Sequence, residues 1–229
     1  MNQTNAISVS NLHKTFRGKV VLNGVNFELA KGQIYAICGS NGSGKSVFLR
    51  NIVGLMKPDH GEIRVWGSVI GKDLDFPEST GALIDQAGFI ASESGFANLS
   101  LLAEIGGRVS PSRVKESMRF VGLDPNDKKP VKSYSVGMRQ RLGIAQAIME
   151  DGALLILDEP TAGLDFEGQK EIYNYLIALK KLGKTILFTS HNQNEIKLLC
   201  DKVYLMKEGK LELWGDLLID EKEREAYGD

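Results

Sequence analysis

Apolar residues fall along this chain of 229 residues in short runs separated by turn-forming clusters. Near the start, Ile7-Ser-Val9, Val20-Val-Leu22 and Gly24-Val-Asn-Phe-Glu-Leu29 have the length and branching of strands, set around turns at Arg17-Gly18 and Lys31-Gly32. Gln33-Ile-Tyr-Ala-Ile-Cys38 is a further strand, and Val47–Val53 is helical. Lys57-Pro-Asp-His-Gly61 is a turn, Glu62-Ile-Arg-Val-Trp-Gly67 alternates like a half-buried strand, and Ala82-Leu-Ile84 is a short buried one. From about Ala87 to Asp151 the period lengthens to that of helices, over Ala97–Ile105, Pro111–Val121 and Val136–Glu150. Asp124-Pro-Asn-Asp-Lys-Lys-Pro130 interrupts that block with two prolines. Afterwards Ala153–Leu157, Lys184–Thr189 and Lys202–Met206 have the continuous apolar character of buried parallel strands. Helices over Phe166–Lys181 and Asn192–Leu199 separate them, and Lys207-Glu-Gly-Lys210 predicts a closing hairpin. Strands alternating with helices predict an α/β fold with a mainly parallel sheet covered on both faces.

Composition changes this picture little. The chain is 42% apolar and 25% charged, as ordinary globular proteins are. A formal net charge of −1 gives no bulk attraction to nucleic acid or anionic lipid, and Lys128, Lys129 and Lys132 read as a solvated loop. Two cysteines, Cys38 and Cys200, without metal-ligand spacing argue against a disulfide framework or a zinc site. The polar stretch Met1–Ala6 has no signal-peptide pattern. No apolar run approaches the ~18 residues of a membrane span. Any service to a membrane is therefore expected to run through a partner.

The candidate chemistry begins at Gly39-Ser-Asn-Gly-Ser-Gly-Lys-Ser46, which fits G-x-x-x-x-G-K-[ST] between a strand and a helix. Glycines let backbone N–H groups turn inward around a polyphosphate, and the helix contributes its positive end. Ser40, Asn41, Gly42, Ser43, Gly44, Lys45, Ser46 and Val47 are the expected phosphate contacts, with Lys45 on the β- and γ-phosphates and Ser46 on Mg²⁺. Leu154-Leu-Ile-Leu-Asp158-Glu159 is an apolar strand ending in two acids, where a parallel sheet presents side chains to a nucleotide crevice. Asp158 suits Mg²⁺, and Glu159 suits orientation of an attacking water. Ser133-Tyr-Ser135-Val-Gly137 precedes the helix carrying Ile144, Ala147 and Ile148. That start is either an ordinary capped helix or a second anion site lent to another chain's nucleotide.

Taken together, these motifs resemble the nucleotide-binding domain of ATP-binding cassette (ABC) transporters over almost the full chain. Tyr134-Ser-Val-Gly-Met-Arg-Gln-Arg-Leu-Gly-Ile-Ala145 is similar to that family's signature loop and helix. Leu154–Asp158 is similar to the Walker B strand with Glu159 as its catalytic acid, Thr161-Ala-Gly-Leu-Asp165 to the D-loop, and Thr189-Ser-His191 to the switch histidine. The resemblance implies catalytic roles for Glu159, His191 and Lys45, contact of His191 with the γ-phosphate, and Phe16 stacked on adenine. It implies that Ser135 and Gly137 reach a partner's nucleotide, although Val136 stands where the signature commonly has a glycine. In Gly81-Ala-Leu-Ile-Asp85-Gln86, counting puts Asp85 where the family places its glutamine, with Gln86 next. Either side chain could serve Mg²⁺ or the attacking water, and Gln86 is preferred.

The implied fold is one domain over residues 1–229, a P-loop NTPase (RecA-like) core with an N-terminal antiparallel β subdomain and an inserted α-helical subdomain. Residues 1–86 and 152–229 form the core with the antiparallel part, and 87–151 the helical block. The implied activity is ATP hydrolysis with ATP and Mg²⁺, in a homodimer of such domains bound to an integral membrane permease, with no nucleic acid. The implied place is the cytoplasmic inner face of a bacterial membrane, with the helical block that carries Phe89, Phe96, Leu99 and Leu101 on the permease side, where these apolar residues serve either permease contact or the subdomain core. Gly81–Asp85 and Tyr134–Met138 further resemble exporters of bacitracin and lantibiotic type. A DNA- or ribosome-directed ABC ATPase would carry long coiled-coil insertions or paired cassettes. A small-molecule kinase would need no signature helix.

Overall fold

The computed structural model describes residues 5–85, 88–107 and 109–216. Strands β1 (Asn5–Phe16) and β2 (Lys19–Ala30) form a long hairpin. Its turn places Arg17 (φ 48°) and Gly18 (φ 82°) in the left-handed region, which suits the twist of paired strands. The sequence pattern predicts shorter separate strands here. The hairpin instead absorbs its polar interruptions as register shifts, between Val9 and Leu12 and again between Lys14 and Thr15. With β4 (His60–Val65) and β5 (Ser68–Val69), it makes an antiparallel sheet of order β2-β1-β4-β5. The two-residue β5 carries no pattern that would announce it.

The second sheet runs β10-β9-β3-β8-β7-β6. Its members are β3 (Ile34–Cys38), β6 (Thr80–Leu83), β7 (Leu154–Leu157), β8 (Thr185–Thr189), β9 (Lys202–Lys207) and β10 (Lys210–Asp216). All adjacent pairs are parallel except β9 with β10, which is the expected closing hairpin. Every residue of β3, β7 and β8 is buried. The prediction of full burial fails for β9, where only Val203 and Met206 are buried. It lies next to the edge strand, where cover on both faces ends.

Alternation along the central strands feeds two apolar cores. Tyr35, Ile37, Leu154, Ile156 and Leu187 pack with helix α1 (Lys45–Ile52) and the antiparallel sheet. Ile34, Ala36, Leu155, Leu157 and Phe188 face the other side. There they meet α2 (Gly95–Gly106), α3 (Pro111–Phe120), α4 (Val136–Met149), α5 (Phe166–Lys181) and α6 (Gln193–Leu199). Each of the last five helices starts at a polar residue whose side chain accepts from a first-turn N–H: Ser94, Ser110, Ser135, Asp165 and Asn192. Leu99 is fully buried in the α2 packing, whereas Leu101 is exposed. Phe89 and Phe96 pack partly buried against the core.

Two glycines fix how α4 meets the sheet. A Cβ at Gly81 on β6 would sit 1.7 Å from the carbonyl oxygen of Ala147. A Cβ at Gly143 would sit 2.8 Å from Leu83 Cδ1. The helix that begins at Ser135 therefore touches β6 at its C-terminal half, backbone against backbone.

Candidate nucleotide-binding site

The C-terminal ends of β3, β7 and β8 lie side by side, and the loops leaving them build the site. After β3 the chain turns through Gly39 (φ 153°), Gly42 (φ 77°) and Gly44 (φ 112°). A side chain at Gly39 would run into the carbonyl oxygen of Met206, 2.4 Å from the Cβ position. Gly44 is the N-cap of α1 and supplies no side-chain acceptor to that helix's first N–H groups. The hydroxyl of Ser43 is buried without a hydrogen-bond partner. An uncapped helix start and an orphaned buried hydroxyl in one glycine-rich turn fit an anionic ligand with several oxygens. Lys45 is 5% exposed and donates to the carbonyls of Gly39 (2.8 Å) and Ser40 (3.2 Å), so its ammonium is held inside the loop.

Strand register sets the acids. Leu157 pairs with Phe188, so Asp158 and Thr189 leave adjacent strands together. The Thr189 hydroxyl donates to Asp158 Oδ1 and accepts from the backbone N–H of Glu159 at 2.9 Å. Glu159 has φ 45°, a strained value for a residue with a side chain. Its N–H is held by Thr189, and its carbonyl accepts from Gln140 Nε2 on α4 at 3.3 Å. Clamped this way, its carboxylate lies 4.0 Å from Lys45 Nζ and 3.8 Å from His191 Nδ1. The His191 side chain is largely exposed.

A cleft of about 550 Å³ opens beside these groups, with Ser46, Asp85, Gln140, Asp158 and Glu159 on its walls. No group of three or more His, Cys, Asp or Glu suited to a metal occurs among the described residues. Ser46 and Asp158 line the same cleft, and a hydroxyl and a carboxylate are oxygen donors that fit a hard cation taking other ligands from a nucleotide and water, as Mg²⁺ does. Asp85 (φ 61°) is engaged by Arg50 of α1, with Nη2–Oδ2 at 2.6 Å and Nε–Oδ2 at 3.2 Å. Gln86 lies outside the described residues.

Ser135 and Val136 are exposed at the start of α4, and Ser135 Oγ accepts from Met138 N at 3.1 Å. Gly137 packs beside Leu164: a Cβ there would be 3.5 Å from Leu164 Cδ2. Phe16 is 40% exposed at the end of β1, with Lys14 Nζ 5.5 Å from its ring centroid. The second strand of that hairpin borders the phosphate loop, since a Cβ at Gly44 would lie 3.0 Å from the carbonyl oxygen of Val21.

The sequence gives no role to Arg50, Gln140 or Glu195, and it brings in Thr161 and Thr189 only as motif members, without the roles their hydroxyls have here. Thr189 was accessible from it, as a hydroxyl residue ending the strand beside the one that ends in Asp158. Glu195 has no such signal. It is fully buried, accepts from Thr161 Oγ1 at 3.1 Å, and is bonded by the Ser190 hydroxyl. Burial pushes its carboxyl up to about 7; those hydroxyls pull it down, and the charge of Glu159 adds to the rise. An unfolded chain releases this proton near 4.5, whereas the native one keeps it to about 7. Stability contributed by Glu195 should therefore fall as pH rises between those values, by on the order of 3 kcal/mol, and level off outside them. Melting curves of wild type and Glu195→Gln across that range check this. The variant is expected to lack the slope, and parallel curves would refute it.

A family model described as ABC transporter matches residues 22–162. The chain is 39% identical to the ABC transporter ATP-binding protein YybJ of Bacillus subtilis, over 90% of this chain and 94% of that one. It is 39% identical to the bacitracin transport ATP-binding protein BcrA of Enterococcus faecalis, over 90% of this chain and 67% of that one. The fold superposes on the dimeric bacterial ABC transporter cassette MJ0796 with a TM-score of 0.83, at 24% identity, covering 93% of this chain and 100% of that one. Matched by the family model over more than half its length and by a relative 39% identical, this chain belongs to the ABC transporter family as an ATP-binding, ATP-hydrolysing subunit.

Proposed function

We propose that this subunit powers a separate membrane permease that exports a peptide antibiotic or a lipid-like compound. One observation carries the chemistry: the Glu159 carboxylate is fixed between Lys45, at 4.0 Å, and His191, at 3.8 Å. An acid held between a phosphate-binding ammonium and an imidazole is suited to align water against a γ-phosphate. Residues Ser40 to Val47 wrap the phosphates, and Phe16 offers its ring to the base. Ser46 and Asp158 would hold Mg²⁺, which would supply positive charge against the phosphates, and the sequence offers Gln86 as a further ligand. His191 and Lys45 then steady the γ-phosphate while Glu159 orients the nucleophile.

The exposed start of α4 completes the site from a second copy. Ser135 and Gly137 meet the partner's γ-phosphate with the positive end of a 14-residue helix. ATP thus joins two copies, and loss of the γ-phosphate loosens them, a ligand-biased two-state switch. Ser135→Arg should leave ATP binding to single chains intact and abolish ATP-dependent dimerisation, read by light scattering. Dimerisation equal to wild type would remove Ser135 from the interface.

A membrane partner is supported by membership of the ABC transporter family, and no helix among the described residues is long and apolar enough to cross a membrane. The peptide cargo is supported by the similarity to the bacitracin transport ATP-binding protein. Exposed Leu101 and Ile105 on α2 offer the permease an apolar face. The test is to isolate Glu159→Gln with ATP from its own cells in mild detergent and identify what accompanies it. A stoichiometric protein with several membrane spans supports the reading. Recovery of ribosomes, DNA or soluble proteins alone would overturn it.

A further inference from the structure

Glu195 is a buried acid outside the set of residues assigned to ATP. It is 0% exposed, and the groups that govern its charge are Ser190, Thr161 and the like-charged Glu159, with no cation among them. A carboxyl group buried in this way is costly, whether or not it keeps its proton, so the fold holds it there against its preference for water. Its two hydroxyl partners come from different loops. Thr161, which donates to both carboxylate oxygens at 3.1 Å, opens the Thr161–Asp165 segment after β7. Ser190 immediately precedes His191.

The bridge continues from there. Ser190 Oγ also accepts from the N–H of Asn192 at 2.9 Å. Asn192 Nδ2 donates to Gln169 Oε1 at 3.2 Å, and Gln169 Nε2 donates to the carbonyl of Leu164 at 3.1 Å. His191 therefore stands between two residues that are both tied to the Thr161–Asp165 segment, one through Glu195 and one through Gln169. The histidine's own ring is left exposed, facing Glu159. A small cavity of about 70 Å³ between Glu159, Thr161, Ser190 and His191 marks the seam that these bonds close.

We propose that Glu195 is a positioning residue for ATP hydrolysis: it clamps the Thr161–Asp165 segment to the turn carrying His191, so that the two move as one piece. The inference rests on the reading that His191 steadies the γ-phosphate. Hydroxyl bonds to a buried carboxyl group are directional in either protonation state, and a displacement of about 1 Å at a catalytic group costs on the order of a hundredfold in rate. Leucine at 195 would fill the space and bond neither loop. Glutamine would keep one oxygen acceptor in place.

The test uses the full chain in steady-state ATP hydrolysis and amide hydrogen exchange. Glu195→Leu is expected to lower kcat by about tenfold or more with KM within about twofold, and Glu195→Gln to recover most of that loss. Because both changes act on one group, Glu195→Leu combined with His191→Ala should be no slower than His191→Ala alone. Thr161→Val, which keeps the side-chain shape and removes only the hydroxyl, should speed amide exchange at residues 190–195. It carries the test if Glu195→Leu does not fold. Losses that multiply in the double variant, or exchange at 190–195 unchanged by Thr161→Val, would overturn the clamp. Wild-type turnover by His191→Ala would instead sink the role given to His191, and the exchange result would still decide whether the two segments are joined.

Discussion

Glu159→Gln is expected to bind ATP as tightly as the wild-type chain and to hydrolyse it about 10²–10³ times more slowly. The substitution is nearly isosteric. The backbone at 159 is held from outside the side chain, by Thr189 on its N–H and Gln140 on its carbonyl, so its strained conformation persists. What disappears is the negative oxygen that orients and polarises water. Lys45 stays anchored to Gly39 and Ser40 and still receives the phosphates. With hydrolysis blocked and binding intact, ATP should accumulate a long-lived dimer. Size-exclusion chromatography with ATP, beside a phosphate-release assay, measures both halves. Turnover at the wild-type rate would transfer the water-activating role from Glu159 to another group.

Lys45→Ala is expected to weaken ATP binding by about 30- to 5,000-fold, the range that removal of one member of a buried charged pair spans. The ammonium has three N–H donors, and two are engaged by loop carbonyls. Alanine would leave those carbonyls without their donor and the phosphates without their nearest cation. The loop glycines and the start of α1 would remain, so residual weak binding is the expected floor. Titration of a fluorescent ATP analogue measures it. Affinity within a factor of about three of wild type would mean that backbone N–H groups alone hold the phosphates.

What was legible in the sequence is what local chemistry dictates. The phosphate loop is contiguous and its glycines serve backbone angles. The paired acids announce themselves because an apolar strand can place them only at its end. The helices expected from Pro111, Val136 and Phe166 begin at those residues, where apolar periodicity sets in, whereas the one expected from Ala97 begins two residues earlier, at Gly95, behind its cap Ser94. The hidden parts depend on which segments meet. Gln140 is an ordinary helix residue until α4 brings it to Glu159. Arg50 and Asp85 are 35 positions apart, and only the fold of α1 against the end of β6 makes them an ion pair. Glu195 reads as the polar face of a short helix, and its burial comes from two loops closing over it. The long β1 and β2 escaped the pattern because bulged strands break the alternation on which strand assignment relies.

The contact at Gly81 gives α4 the mechanics of a lever. The helix is pressed to β6 along Gly143 and Ala147, where neither backbone has room to slide inward. That contact is a fulcrum near one end of a rigid rod. Ser135 lies eight residues beyond Gly143, a reach of about 12 Å at the rise of an α-helix. A tilt of about 10° on this fulcrum would therefore carry the Ser135 hydroxyl by about 2 Å, while the contact with β6 hardly moved. Two ångströms separate a hydrogen bond to phosphate from none. A rotation too small to disturb the core is thus large enough to make or break the contact at the far end of the helix.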